Sequence, residues 1–160
     1  MKIYLAGPLF TAAERQFNTR LRDLLSEAGH QVWLPQEVEP RESTATAIFL
    51  RNLEGIDWAD AVVANLDGAD SDSGACWECG YAFAAKPVVV FRTDFRAGEG
   101  PGLAPCNLMP WESATERLNL PFGTAEQLAE KLPSILNPAN LARRFEEAQQ
   151  NREKTFNPTK

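Results

Sequence analysis

The apolar run Asp60-Ala61-Val62-Val63-Ala64-Asn65-Leu66 leads, after a short turn, into Asp70-Ser71-Asp72-Ser73-Gly74-Ala75-Cys76-Trp77-Glu78-Cys79-Gly80-Tyr81-Ala82. The first segment has the continuous apolar character of a strand buried on both faces. The second reads as an acidic, Gly-containing turn that opens a helix running to about Ala85. A buried strand that feeds straight into a helix belongs to an α/β sheet, and such sheets hold ligands in the crevice beyond the carboxyl ends of their strands. Glu78 falls about one and a half turns into the helix, near the positive end of its dipole. A carboxylate held there and aimed at the crevice suits nucleophilic attack on a sugar carbon. The plainer reading is that Asp72 or Ser73 caps the helix and Glu78 is an ordinary solvated residue.

The rest of the chain alternates in the same way. Ile3–Ala6 reads as the first strand and Gly7-Pro8-Leu9-Phe10 as a loop. Thr11 caps a helix over Ala12–Ala28, with Phe17, Leu21, Leu24 and Leu25 on one face. Gly29 ends that helix in the usual role of a glycine just past a helix. Gln31–Leu34 is a second strand, closed by Pro35, and Glu37–Glu42 is a charged loop. A helix begins at Thr44 or Thr46 and runs through about Glu54, with Ile48, Phe49 and Leu53 expected inward. Asp60–Leu66 and Lys86–Phe91 are the third and fourth strands, Pro87 lying at the start of the latter. Asp94–Pro105 is a Gly/Pro-rich loop, and Thr124 caps a helix over Ala125–Leu136. Helical segments of this length between strands require parallel crossovers, so the expected fold is a doubly wound sheet of about five mostly parallel strands with helices on both faces. Residues 1–137 form the expected domain, and 138–160 a polar helical tail. That tail either frays or docks on a neighbouring subunit.

A chain of 160 residues is long enough for one full core. A net charge of −6 argues against nucleic acid or an anionic membrane as a partner. No apolar segment is long enough to span a bilayer, and the N-terminus enters a strand with no signal-like region, so the expected location is cytoplasmic. Three cysteines give no disulfide framework. Cys76-x-x-Cys79 lies inside a helix rather than at its N-terminus, which disfavours a redox pair. Only Cys106 and His30 remain as soft ligands for a zinc site, so no metal and no cofactor is expected.

Four segments together resemble one family. Ile3-Tyr4-Leu5-Ala6-Gly7-Pro8-Leu9-Phe10, the Asp60 strand, Asp72-x-Gly74-x-x-x-Glu78-x-Gly80-Tyr81-Ala82 and Asn107-Leu108-Met109 look like the nucleoside 2-deoxyribosyltransferases. The resemblance spans about residues 1–137. It implies a flavodoxin-like fold, an oligomer, and transfer of 2-deoxyribose between a deoxynucleoside and a free nucleobase through a covalent glycosyl-enzyme. Carried over residue by residue, it makes Glu78 the nucleophile and Tyr4 the group that orients it. Asp60 becomes the acid and then base at the nucleobase, and Asp72 the acceptor for sugar hydroxyls. Phe10 and Gln36 would line the base slot, with Gly7 in the substrate-binding loop. Asn107 and Met109 would complete a neighbouring subunit's site.

The implied chemistry fits these residue types. Breaking an N-glycosidic bond builds positive charge on the sugar, which a carboxylate below it stabilises and traps. A second, protonatable carboxyl helps the base to leave. Two other functions compete with base exchange. One is hydrolysis of deoxynucleosides or their 5′-monophosphates, for which Arg92 and Arg96 are the nearby phosphate-binding candidates. The other is a non-catalytic nucleoside sensor on the same fold.

Overall fold

A computed structural model describes residues 1–38, 42–96 and 104–156. Five strands form one sheet in the order β2-β1-β3-β4-β5, and every pairing is parallel. They are β1 (Lys2–Ala6), β2 (Gln31–Trp33), β3 (Ala61–Asn65), β4 (Val88–Arg92) and β5 (Glu116–Asn119). The helices are α1 (Ala12–Glu27), α2 (Ala45–Trp58), α3 (Ser73–Ala82), α4 (Leu108–Ser113), α5 (Ala125–Ile135) and α6 (Pro138–Phe156), with a 3₁₀ turn at Pro35–Glu37. Of these, β5 and the short α4 have no counterpart in the sequence reading. Each is brief, and Glu116-Arg117-Leu118-Asn119 has the alternating burial of an edge strand rather than an apolar run.

The period of two along the central strands sorts the core into two layers. Tyr4, Ala6, Val62, Ala64, Val88 and Val90 face one way, against Ile56 of α2, Ala75 and Cys79 of α3, and Trp111 of α4. Ile3, Leu5, Val63, Val89 and Phe91 face the other, against Leu21 and Leu25 of α1, Leu128 and Leu132 of α5, and Leu141 of α6. All five residues of β3 and of β4 are buried, as a sheet covered on both faces requires.

Local signals set the helix ends. Thr11 and Glu14 form a reciprocal capping box on α1, as do Thr124 and Gln127 on α5. Thr44 caps α2 through the Ala47 N–H, and Gly29, at φ +87°, carries the chain out of α1. Over its described length the tail packs against the rest of the chain. Leu141 is buried in the core, Arg144 pairs with Glu116 and Arg152 donates to the Ser113 carbonyl. The Arg152 guanidinium also stacks 3.9 Å from the Phe83 ring centre. No helix among the described residues is long and apolar enough to cross a membrane.

Candidate active site

The crossovers from β1 and from β3 leave in opposite directions, so the sheet opens a crevice between the ends of these two neighbours. Gly7 leaves β1 there at φ +154°, and a Cβ on it would lie 2.9 Å from the Asn65 Cβ at the end of β3. Only glycine allows the two strand ends to approach so closely. Beyond β3, the Asp67 carboxylate accepts from the Thr93 and Asp94 N–H groups and the Thr93 hydroxyl. Buried Arg92 donates to the Leu66 and Gly68 carbonyls. These bonds tie the turn before α3 to the end of β4 and so fix where α3 starts.

Asp72 is the cap of α3, its Oδ2 accepting from the Ala75 N–H at 2.8 Å. Glu78 follows on the face turned toward the sheet, and the Tyr4 hydroxyl donates to its Oε1 at 2.6 Å. Tyr4 is fully buried. Burial pushes the Glu78 carboxyl up to about 7; the Tyr4 hydrogen bond pulls in the opposite direction, and the Asp72 charge adds to the rise. Burial and the neighbouring Glu78 also raise the Tyr4 phenol, which keeps it a proton donor. The pair is a carboxyl poised near neutrality and held in one orientation by a buried donor.

Glu78 opens onto a cavity of about 530 Å³, walled by Ile48, Phe49, Asn52 and Leu53 of α2 and by Trp77 of α3. Phe49 meets Trp77 edge-on at 5.6 Å, and Trp77 stacks on Tyr81 at 5.4 Å. This corrects the expectation that Ile48 and Phe49 point inward: both are about half exposed and form the cavity wall. The helical period cannot distinguish a face that packs on the core from one that lines a cleft. Asn52 and Trp77 are the site residues that sequence reasoning missed. An asparagine and a tryptophan on helices carry no motif of their own, and only the facing of α2 and α3 brings them to Glu78.

Asp60 requires a correction. It lies in the link between α2 and β3, exposed, with its Oδ2 accepting from the Lys2 N–H at 2.7 Å. It lines a different cavity, with Met1, Lys86 and Pro87. Strand β3 starts one residue after Asp60, while Glu78 belongs to the helix that follows the strand's other end. Asp60 is not among the described residues lining the Glu78 cavity, so it does not face a base held there.

The other expected residues divide. Phe10 follows β1 at the same edge of the sheet as Glu78 and is 74% exposed. Gln36 is tied to α1, its side-chain amide donating to the Arg15 carbonyl and the Thr19 hydroxyl and its Oε1 accepting from Asn18. Neither is among the described residues lining the Glu78 cavity. Asn107 caps α4 through the Met109 N–H, and the Met109 side chain is 71% exposed. Neither candidate cation for a phosphate is unengaged: Arg92 is spent on backbone carbonyls and Arg96 pairs with Asp94. Cys79 is buried against the sheet and Cys76 half-buried beside it, and burial raises both thiols. No group of residues able to hold a metal ion occurs among the described residues.

Sheet order and crevice define a doubly wound α/β protein whose site is a half-buried carboxyl held by a buried phenol at the mouth of an apolar cavity. The nucleoside 2-deoxyribosyltransferase family model matches residues 3–109, more than half of the chain, and this span holds Tyr4, Asp72, Glu78 and Met109. The chain belongs to that family. Among solved structures it is similar to a conserved protein from Enterococcus faecalis V583, at 28% identity and TM-score 0.65, covering 85% of this chain and 99% of the other. It is also similar to a 2-deoxyribosyltransferase from Bacillus psychrosaccharolyticus, at 27% identity and TM-score 0.61, covering 81% and 90%. A 2-deoxyribosyltransferase from Leishmania mexicana shares the fold at 24% identity and TM-score 0.59, covering 81% and 97%. Comparison with curated proteins found no match.

Proposed function

We propose that this protein transfers 2-deoxyribose from one nucleobase to another by double displacement through a deoxyribosyl–Glu78 ester. The observation that carries this reading is the 2.6 Å bond from Tyr4 to the half-buried Glu78 carboxyl at the wall of the cavity. The sugar sits over Glu78 with its base against the apolar wall of α2. The C1′–N bond breaks, its electron pair goes to the departing base, and a Glu78 oxygen bonds C1′. A second base then attacks C1′ from the vacated face, releases its ring N–H proton to solvent, returns the bonding pair to Glu78 and restores the original configuration. Tyr4 holds the carboxylate in line and takes up part of its charge in the free enzyme. Asp72 has one oxygen committed to its helix, and the other is directed to the sugar hydroxyls. Asn107 and Met109 act in a neighbouring copy's site, so the working enzyme is a homo-oligomer.

Membership of the family and likeness to the Bacillus psychrosaccharolyticus enzyme support this reading. The engagement of Arg92 and Arg96 within the fold weighs against a 5′-monophosphate as substrate. The test is chromatography of 2′-deoxyinosine and free adenine incubated with the protein. Formation of 2′-deoxyadenosine supports transfer. Hypoxanthine and free deoxyribose alone would replace transfer by hydrolysis. Unchanged substrates that nonetheless bind would favour the sensor.

A further inference from the structure

The Glu78 cavity carries one polar group that the proposed reaction leaves unused. Asn52 lines it from α2, among Ile48, Phe49 and Leu53, and its carboxamide has no hydrogen-bond partner among the described residues. A half-buried amide without a partner forgoes bonds that water or a ligand would supply. Among the described residues that line this cavity, Glu78 is the one carboxyl. Asp60 is at the far end of β3, and Asp72 caps α3 outside the lining. The α2 wall therefore offers a bound base a donor and an acceptor but no transferable proton.

We propose that Asn52 reads the nucleobase, and that a carboxamide in place of an acid directs this site to deoxynucleosides whose base leaves without being protonated by the enzyme. N7-alkylated purines, whose rings are cationic, are the class that fits. This proposal rests on the base-transfer reading above. When the C1′–N9 bond breaks, its electron pair passes to the base. A neutral purine then departs as an anion unless an acid protonates it, and an amide N–H hydrogen-bonds without giving up its proton. An N7-alkylated purine already carries the positive charge, accepts the same electron pair and departs neutral, with no proton moved. The Asn52 amide meets the exocyclic group of such a base, accepting from an amino group or donating to a ring carbonyl. The aromatic faces of Phe49 and Trp77 suit a cationic ring.

The experiment compares wild type, Asn52→Asp and Asn52→Ala on 2′-deoxyinosine and on 7-methyl-2′-deoxyguanosine. Each is given with adenine over about pH 5–9, with spontaneous depurination subtracted. Wild type is expected to favour the cationic substrate in kcat/KM by about 100-fold or more. Asn52→Asp is expected to raise kcat on deoxyinosine about 10–100-fold and to add an alkaline limb as the introduced carboxyl ionises. It should raise kcat on the cationic substrate far less, because that base departs without needing a proton. The acidic limb common to all variants belongs to Glu78, which faces Tyr4, Asp72 and Cys79. Asn52→Ala is expected to raise KM for both substrates while keeping the preference. Equal use of the two substrates by wild type, or no gain on deoxyinosine from Asn52→Asp, overturns the proposal. Intact-mass detection of a deoxyribosyl adduct separates the two levels of failure. An adduct without substrate preference sinks the role of Asn52 alone, and no adduct and no turnover with either substrate sinks base transfer as well.

Discussion

Tyr4 and Glu78 stand 74 positions apart in the chain and 2.6 Å apart in the fold, a buried phenol donating to a half-buried carboxyl. A hydrogen bond to a charged group contributes about 1.5–3 kcal/mol. Tyr4→Phe is therefore expected to lower kcat about 10–100-fold with a smaller change in KM. It should also move the acidic limb of kcat/KM upward, because this bond lowers the Glu78 pKa. An unchanged pH profile in the variant would show that the bond does not tune Glu78.

Glu78→Gln is expected to reduce transfer by at least about 10³-fold while the circular dichroism spectrum stays that of the wild type. Full activity in this variant would eliminate the covalent mechanism.

Activity and stability should respond to pH in opposite senses. Transfer needs the ionised Glu78, so kcat/KM rises through about pH 7. Stability behaves otherwise, because the folded-state pKa lies above the ordinary glutamate value of 4.5. The folded protein binds the extra proton between those two values, so the Glu78 contribution to stability falls as pH rises from 4.5 to about 7 and stays at its minimum above. Glu78→Gln should accordingly stabilise the protein above pH 7 by about 2–3 kcal/mol relative to its effect near pH 4. Urea titrations at the two pH values check this, and equal effects at both would contradict the half-buried, proton-binding carboxyl.

Asn107 and Met109 are exposed on α4, available to another copy of the chain. If they complete a neighbour's site, Asn107→Ala and Glu78→Gln are each inactive alone, yet mixed oligomers regain part of the activity. The gain arises where an intact Glu78 meets an intact Asn107 across the interface. No recovery on mixing and reassembly, or full activity in a demonstrably monomeric form, would refute the shared site.

Gly7→Ala forces a Cβ to within 2.9 Å of the Asn65 Cβ from a backbone that side chains rarely adopt. A loss of about 1–3 kcal/mol is expected from thermal or urea unfolding. A loss within a few tenths of a kcal/mol would mean that the strand ends separate readily.

Much of the scaffold was legible residue by residue. Thr11 with Glu14 and Thr124 with Gln127 announce their helices through capping chemistry. Val62 to Ala64 and Val88 to Phe91 announce strands by unbroken apolar runs. Such signals lie within a few residues of one another, where chain geometry alone decides which groups meet. The tail was harder to place. Pro138–Phe156 looks weakly apolar, and its docking depends on Leu141 reaching the core and on Arg144 and Arg152 finding Glu116, Ser113 and Phe83.

By itself the sequence determined the alternation of strand and helix, the turn that opens α3 at Asp72, and the presence of Glu78 just inside it. Periodicity, capping and strand burial are local and need no knowledge of what packs where. Only the tertiary structure decided which side chains share the site with Glu78. It brought Tyr4 across from β1 and turned Ile48, Phe49 and Asn52 of α2 toward Glu78. It also left Asp60 at the opposite end of the sheet. These relations depend on the order of parallel strands and on which face of a helix looks into a cleft, and neither quantity is encoded in the spacing of residues along the chain.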